Sequence, residues 1–281
     1  MQLLITGSSG FVGKHLCNHF SNGHEVTKFD LPKNIRNYEL VRESIHHDID
    51  AVIHLAAQVR VDTAIKDPYD TFITNVEGTM NVLESMRLND IPKLVFASTA
   101  DVYGGNHSGP VGEYDTWGTT NPYGASKLAA ERLCYAYGET YGISMGILRC
   151  FNIYGPGQTS GVIPLFVKKA MKGESLPING RGLQKRDYVY ISDIVRAYDL
   201  MLHTDIKGAV NIGTGIGTSV RDLAETVVYV TGSLSKIEYS LGDERPSGDL
   251  IASNFGASED LNWRPQVPLK EGIKYVMESL K

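Results

Sequence analysis

Cysteine is scarce in this chain: three among 281 residues, at Cys17, Cys134 and Cys150. An odd count at wide spacing excludes a disulfide framework and offers no metal-ligand pattern, so the thiols read as reduced in a cytoplasmic protein. No apolar run approaches the roughly 20 residues that cross a bilayer, which argues against a membrane partner. The chain opens on Gln2-Leu3-Leu4-Ile5 with no basic segment or cleavage pattern, and this reads as a buried strand rather than a leader. Positive charge is also in short supply. Lys and Arg number 27 against 32 Asp and Glu, a net charge of −5, so no nucleic acid partner is expected. Internal repeats and low-complexity tracts are missing. What is present, 42% hydrophobic and 21% charged residues, is an ordinary globular composition. The length suffices for one large core or two coupled lobes.

Along the first half, short apolar runs alternate with helical patterns. Strands are expected at Gln2–Thr6, Glu25–Phe29, Ala51–Leu55, Lys93–Ala97 and Ser144–Leu148. Helices are expected at Gly10–Asn22, Tyr38–Ile45, Asp70–Leu88 and Pro122–Tyr141. Uninterrupted Val, Ile and Leu in the strands indicate a parallel sheet covered on both faces, an α/β doubly wound (Rossmann) architecture. After Phe151 the texture changes. Gly155-Pro156-Gly157 opens a loop, Ile163–Lys172 is helical and Pro177–Gly182 turn-rich. Tyr188–Tyr190 and Ile194–Leu202 then read as a strand and helix returning to the main sheet, followed by a strand ending at Gly213 and a helix at Val220–Val230. The stretch from Asp243 onward is loop-rich with a closing helix. The expected division is a nucleotide lobe over 1–155, regaining the segment 187–215, and a smaller, interleaved α/β substrate lobe over 156–281.

Thr6-Gly7-Ser8-Ser9-Gly10-Phe11-Val12-Gly13 follows the first strand and opens the first helix. Gly7 permits a tight turn, Gly10 lets the backbone approach a pyrophosphate, and Gly13 lets helix and strand pack closely. The helix N-terminus supplies unpaired N–H groups for phosphates. Asp30 ends the second strand, 17 positions after Gly13. A carboxylate there accepts both adenosine ribose hydroxyls and repels a 2′-phosphate, which favours NAD over NADP.

Tyr123 and Lys127 stand four apart at the start of a long helix and share a face. To act as a base near neutral pH a tyrosine must drop by roughly 3 pKa units, about 4 kcal/mol. A neighbouring ammonium and an oxidised nicotinamide, both cationic, are expected to stabilise the phenolate. Lys127 is also placed to hold the nicotinamide ribose. Thr99 follows the strand Lys93–Ala97, where open α/β sheets bind ligands, and its hydroxyl is placed to orient or relay a proton to Tyr123. A capping role for Thr99 is the alternative.

These segments, with His54-Leu55-Ala56-Ala57, Asn75-Val76-Glu77-Gly78-Thr79, Ser98-Thr99-Ala100-Asp101-Val102-Tyr103-Gly104, Asn121-Pro122-Tyr123-Gly124-Ala125-Ser126-Lys127, Leu148-Arg149-Cys150-Phe151-Asn152-Ile153-Tyr154-Gly155-Pro156-Gly157, Arg186-Asp187-Tyr188-Val189 and Asn211-Ile212-Gly213, resemble the extended short-chain dehydrogenases/reductases of the nucleotide-sugar epimerase/dehydratase family. The matches run from residue 3 to about 263. The resemblance implies a tightly held NAD and a nucleotide-diphosphate sugar, with Thr99, Tyr123 and Lys127 as the catalytic set. It extends the cofactor site to Phe11, Val12, Asn34, Ile35, Leu55, Ala56, Ala57, Asn75, Ser98 and Phe151. It assigns Thr99, Ala100, Tyr123, Asn152, Val162, Arg186, Arg245 and Asp249 to the sugar nucleotide. His54 would be a structural residue beside the cofactor, and His46-His47-Asp48 a polar loop rather than a metal site.

In this family the dehydratases carry Asp then Glu after the threonine. Here Ala100 and Asp101 stand there, and Ala100 cannot protonate a leaving hydroxyl. A 4-epimerase of UDP-glucose/UDP-galactose type is therefore expected. A 4-keto-sugar reductase using NAD(P)H is the alternative, then a 4,6-dehydratase or decarboxylase; a non-catalytic NAD(H)-sensing scaffold is disfavoured by the retained catalytic set. The segment from Asp30 to Ala51 is short, as in some reductases, and Asn34-Ile35 stands where the family places an acid-Ile adenine contact. Ser253, where some epimerases have Tyr, leaves room for N-acetylated UDP-hexosamines. The long helices suggest a homodimer contact, with Leu128, Leu133 and Tyr137 serving either it or the core.

Overall fold

The computed structural model describes residues 1–105, 107, 109–240 and 248–281. The chain begins β1 (Gln2–Thr6), α1 (Phe11–Phe20), β2 (Glu25–Phe29), α2 (Tyr38–Ser44), β3 (Ala51–His54). Next come α3 (Val61–Lys66), α4 (Pro68–Phe72), a π-helical turn (Ile73–Glu77) and α5 (Gly78–Leu88). β4 (Lys93–Thr99) ends in a 3-10 turn (Ala100–Val102), and α6 (Pro122–Tyr141) leads to β5 (Ser144–Cys150). The chain continues through β6 (Asn152–Tyr154), α7 (Val162–Met171), β7 (Leu176–Asn179), β8 (Lys185–Tyr190), α8 (Ile191–Leu202) and β9 (Gly208–Ile212). It closes with β10 (Gly217–Ser219), α9 (Val220–Thr231), β11 (Ile237–Ser240), α10 (Phe255–Glu259) and α11 (Leu269–Ser279).

Six parallel strands form the main sheet in the order β2-β1-β3-β4-β5-β9. Side chains alternate between its faces. Leu3, Ile5, Ile53, Val95 and Leu148 join one buried cluster, while Leu4, Val52, Leu94, Phe96 and Ile147 join the other. Apolar residues on both faces demand helices on both, which is why the fold is a doubly wound α/β sheet. The chain leaves β1 for β2, then returns to β3 on the other side of β1. At such a reversal the strand carboxyl ends bound a crevice.

Local signals explain the element ends. Asn121 accepts from the Gly124 amide and Pro122 fills the first turn of α6, while Gly142 stops that helix in the left-handed region at φ +73°. The expected single helix over Asp70–Leu88 starts earlier, at Pro68, because the Asp67 carboxylate accepts from the Asp70 amide. It is also interrupted by the π turn that carries Asn75, whose side chain bonds Gln58 and Ser126. The helix Val61–Lys66 lacks a side-chain cap, and no sequence signal marks it.

One expected placement is corrected. The strand over Tyr188–Tyr190 does not return to the main sheet; β8 pairs with β6 and β10 in a separate sheet of three. The helix that follows, α8, does return, packing on α1, β4 and β5, and β9 pairs with β5. The stretch Pro177–Gly182, expected as turn, begins as β7, whose Leu176 and Ile178 are buried while Pro177 and Asn179 are exposed, paired with β11. Leu128 packs into one core cluster, and Leu133 and Tyr137 against the other. Among the described residues no helix is long and apolar enough to cross a membrane.

Candidate active site

A cleft of about 840 Å³ opens along the carboxyl ends of β1 to β5. Its floor at one end is the turn between β1 and α1. Gly7 sits at φ +69°, and a Cβ there would lie 2.8 Å from the Ala56 nitrogen. A Cβ on Gly13 would lie 2.2 Å from the Gly7 carbonyl oxygen. The turn therefore needs glycine at both positions, and it bares the α1 N-terminus, capped by no side chain, to the cleft. The Asp30 carboxylate accepts from the Ser9 amide at 2.5 Å and the Leu31 amide at 2.8 Å. Burial pushes this carboxyl up, but the bonds from Ser9 and Leu31 outweigh burial and leave it below its ordinary value. An anion is thus fixed beside the glycine turn.

The neighbouring wall is set by a buried relay. Thr6 Oγ1 accepts from the Leu55 and Ala56 amides, each at 3.1 Å, and lies 2.7 Å from His54 Nδ1. His54 Nε2 reaches Thr79 at 3.1 Å. Burial, assisted by Lys127, pushes His54 down to about 3, so it stays neutral and structural.

At the other end Thr99, Asp101, Tyr123 and Lys127 all line the cleft. Gly124 makes this convergence possible, because a Cβ there would lie 2.6 Å from the Asp101 carbonyl oxygen. Helix α6 thereby starts against the 3-10 turn after β4. Thr99 Oγ1 donates to Asp101 Oδ2 at 3.2 Å and accepts from the Asp101 amide at 3.2 Å. Burial pushes the Tyr123 phenol well up, and Asp101 pushes it further; the bond with Thr99 offsets part. Burial pushes Lys127 down to about 8, against the pull of Cys134, Glu131 and Cys150, and its Nζ lies 4.2 Å from the Phe96 ring centroid. Burial raises Asp101 too, opposed by Thr99, Asn121 and the more distant Arg186.

Lys127 also makes stability depend on pH. Its folded value of about 8 lies below the ordinary 10.5, so the unfolded chain binds that proton more tightly. Stability then carries a full penalty below about 8 and recovers as pH rises through the interval between the two values. Lys127→Met should therefore stabilise the cofactor-free protein at neutral pH, by up to roughly 3 kcal/mol, with the gain shrinking in alkaline buffer. Thermal melting across pH checks this; a variant that melts lower throughout contradicts it.

Of the residues singled out from sequence, the cleft wall holds Gly7, Gly10, Phe11, Val12, Gly13, Asp30, Asn34, Ile35, Leu55, Ala56, Ala57, Ser98, Thr99, Tyr123, Lys127, Phe151 and Asn152. Others lie elsewhere. Asn75 is buried behind the wall, bonding the Gln58 backbone to Ser126. Ala100 is buried in the core, and Val162 packs against that core from the first turn of α7. Arg186 on β8 donates to the Lys185 and Gly248 carbonyls, and Asp249 accepts from the Lys185 amide. Ser253 donates its amide to Val111. Arg245 falls outside the described residues.

The structure also adds wall residues. The sequence reading gives Asp101 no role in the site, yet the 3-10 turn tips it into the cleft. Arg36 joins the Asp30 end, held by Thr74 Oγ1 at 3.0 Å from its Nε and by Asp70. Gln158 belongs to the loop 155–161, for which Gly155, Gly157 and Gly161 were the available signal.

The molecule has close relatives of known description. A model of the NAD dependent epimerase/dehydratase family matches residues 3–213. A Methanocaldococcus jannaschii protein provisionally described as a UDP-glucose 4-epimerase is 37% identical over 99% of this chain and 98% of that protein. A UDP-glucuronic acid decarboxylase of Xenopus tropicalis is 31% identical over 97% of this chain and 70% of its own length. The crystal structure of a Thermotoga maritima UDP-glucose 4-epimerase with UDP-glucose superposes at a TM-score of 0.94, with 30% identity, covering 100% of this chain and 98% of that one.

Proposed function

We propose that this chain, which belongs to the NAD-dependent epimerase/dehydratase family, interconverts the C4 configuration of a UDP-hexose of glucose/galactose type through a transient 4-keto sugar. The residues present fit NAD. The glycine turn whose Cβ positions are closed by backbone leaves its amides and the α1 N-terminus to the pyrophosphate, and Asp30 offers an acceptor to the adenosine ribose. When bound, this cofactor supplies the acceptor and donor of a hydride at sugar C4. Lys127 holds the adjoining ribose. Tyr123 takes the proton of the sugar 4-hydroxyl and later returns it to the same oxygen, and Thr99 orients that hydroxyl. Burial raises the phenol, and the positive charges that would make it a base are the Lys127 ammonium and the cationic ring of the oxidised cofactor.

One observation carries the choice of epimerisation. Thr99, Tyr123 and Lys127 meet in one cleft, while the next residue after Thr99 is Ala100, buried in the core with nothing to protonate a leaving group. The purified protein should convert UDP-galactose to UDP-glucose with no added reductant. Absence of interconversion for every UDP-hexose and its N-acetyl form, with turnover appearing only when NADPH and a 4-keto sugar are added, would replace this reading by a reductase. A second reading, dehydratase or decarboxylase chemistry, is favoured by Asp101 alone, a half-buried carboxyl whose charge bears on Tyr123. Accumulation of a 4-keto-6-deoxy sugar or of a pentose would select it.

A further inference from the structure

His54, at the end of β3, is only 1% exposed, yet both of its ring nitrogens are hydrogen-bonded. The partners fix which nitrogen carries the proton, because a hydroxyl has one proton to give and two lone pairs to offer. Thr79 Oγ1 gives its proton to the Asn75 carbonyl at 2.6 Å. Toward His54 Nε2, at 3.1 Å, it can only accept, so Nε2 bears the hydrogen. Thr6 Oγ1 already accepts from the Leu55 and Ala56 amides. Toward His54 Nδ1, at 2.7 Å, it must donate, so Nδ1 is bare. The imidazole is therefore the neutral Nε2–H tautomer, and the bonds on its two sides run in one direction.

The relay continues beyond Thr79. Asn75, which takes the Thr79 proton on its carbonyl, rides on the π turn and is itself 1% exposed. Its Oδ1 accepts from the Gln58 amide at 2.7 Å, which settles the flip of the side chain. Its Nδ2 donates to the Gln58 carbonyl and to Ser126 Oγ, each at 2.9 Å. Ser126, fully buried, gives its own proton to the Tyr123 carbonyl at 2.8 Å. A buried chain of this kind adds little net stability, since each bond replaces one made with water, but when every member is satisfied it holds them in one arrangement. One arm ends on Leu55 and Ala56, which line the cleft beside the glycine turn, and the other on the first turn of α6, where Tyr123 lines it. We propose that His54 is a positioning residue: as the Nε2–H tautomer it fixes the Leu55–Ala56 wall through Thr6 and sets the start of the Tyr123 helix through Thr79, Asn75 and Ser126. This rests on the reading of the cleft as a dinucleotide site in which Tyr123 moves the proton.

Three substitutions separate the arms. His54→Phe keeps a ring and removes both nitrogens. It should weaken NAD affinity about tenfold and, at saturating NAD, lower kcat for UDP-galactose about tenfold with KM little changed. His54→Gln returns a donor near the place of Nε2 and should restore kcat but not NAD affinity. His54→Asn returns an acceptor near the place of Nδ1 and should restore NAD affinity but not kcat. A merely structural histidine would lower the melting temperature of all three variants and split nothing; parent-like kcat in His54→Phe, or the same profile for Gln and Asn, overturns the proposal. Long-range proton–nitrogen NMR of the parent needs no variant to fold. It should show this histidine protonated at Nε2 and bare at Nδ1 throughout pH 6–8, and a proton on Nδ1 also overturns the proposal. A parent that interconverts no UDP-hexose would instead remove the function proposed above, and the tautomer and NAD affinities would then decide the relay without turnover.

Discussion

Tyr123→Phe should lower kcat for UDP-hexose interconversion by about 10²- to 10⁴-fold, the range for loss of a positioned general acid–base group. The phenol oxygen is the only atom removed, and the ring stays packed in a residue only 8% exposed, so the fold and the bound dinucleotide should be retained. The loss should fall mainly on kcat, because the missing interaction is made with a proton in flight rather than with the ground-state sugar. Thr99→Val should cost less, since it leaves the phenol in place. Parent-like kcat in Tyr123→Phe, with dinucleotide bound, would remove Tyr123 from the chemistry.

Arg149→Met should destabilise the fold by about 3–5 kcal/mol, the usual result of breaking a buried ion pair by deleting one member. Arg149 is 1% exposed and Glu131 fully buried. They meet through Nε to Oε1 at 3.0 Å and Nη2 to Oε2 at 2.7 Å. Arg149 Nη1 also donates to Tyr103 Oη at 2.7 Å and to the Glu113 carbonyl at 2.9 Å, and Tyr103 Oη donates to Asn211 at 2.7 Å. Deleting the guanidinium leaves the buried Glu131 carboxyl with Ser98 as its hydrogen-bond donor and the Arg132 guanidinium at 3.9 Å. Because Ser98 of β4 lines the cleft, the network ties α6 and β5 to the cleft wall. A combined Glu131→Leu, Arg149→Met variant should regain much of the loss, since no charge is then stranded. Denaturant unfolding checks both; a loss under about 1 kcal/mol for the single variant contradicts the account.

Much of the fold is legible from residue order because the signals are local. Gly7 and Gly13 are required by a turn whose backbone crowds any Cβ, and the cap Asn121, Pro122 and Gly142 delimit α6 over Pro122–Tyr141, the span expected from sequence. The wrong sheet for Tyr188–Tyr190 has the opposite cause. A strand's partner is chosen by distant chain, here β6 and β10, and nothing within the strand encodes that choice. Asp101 and Gln158 escape sequence reasoning for a related reason: a single 3-10 turn and a glycine-guided loop decide that their side chains face the cleft. Four-residue spacing puts Lys127 on the same helix face as Tyr123; what the spacing does not show is how deeply both groups are buried, which pushes the phenol up and the ammonium down.

The most direct measurement follows the hydrogen at sugar C4. UDP-galactose carrying deuterium at C4 is incubated with the protein in ordinary water, and the UDP-glucose formed is examined by mass spectrometry and proton NMR. Removal and return of the same hydride predicts that the label stays at C4 of the product and that none passes to solvent. Label washed out into water would mean that C4 is inverted through a proton rather than a hydride, and neither the cofactor cleft nor Tyr123 would then act as proposed.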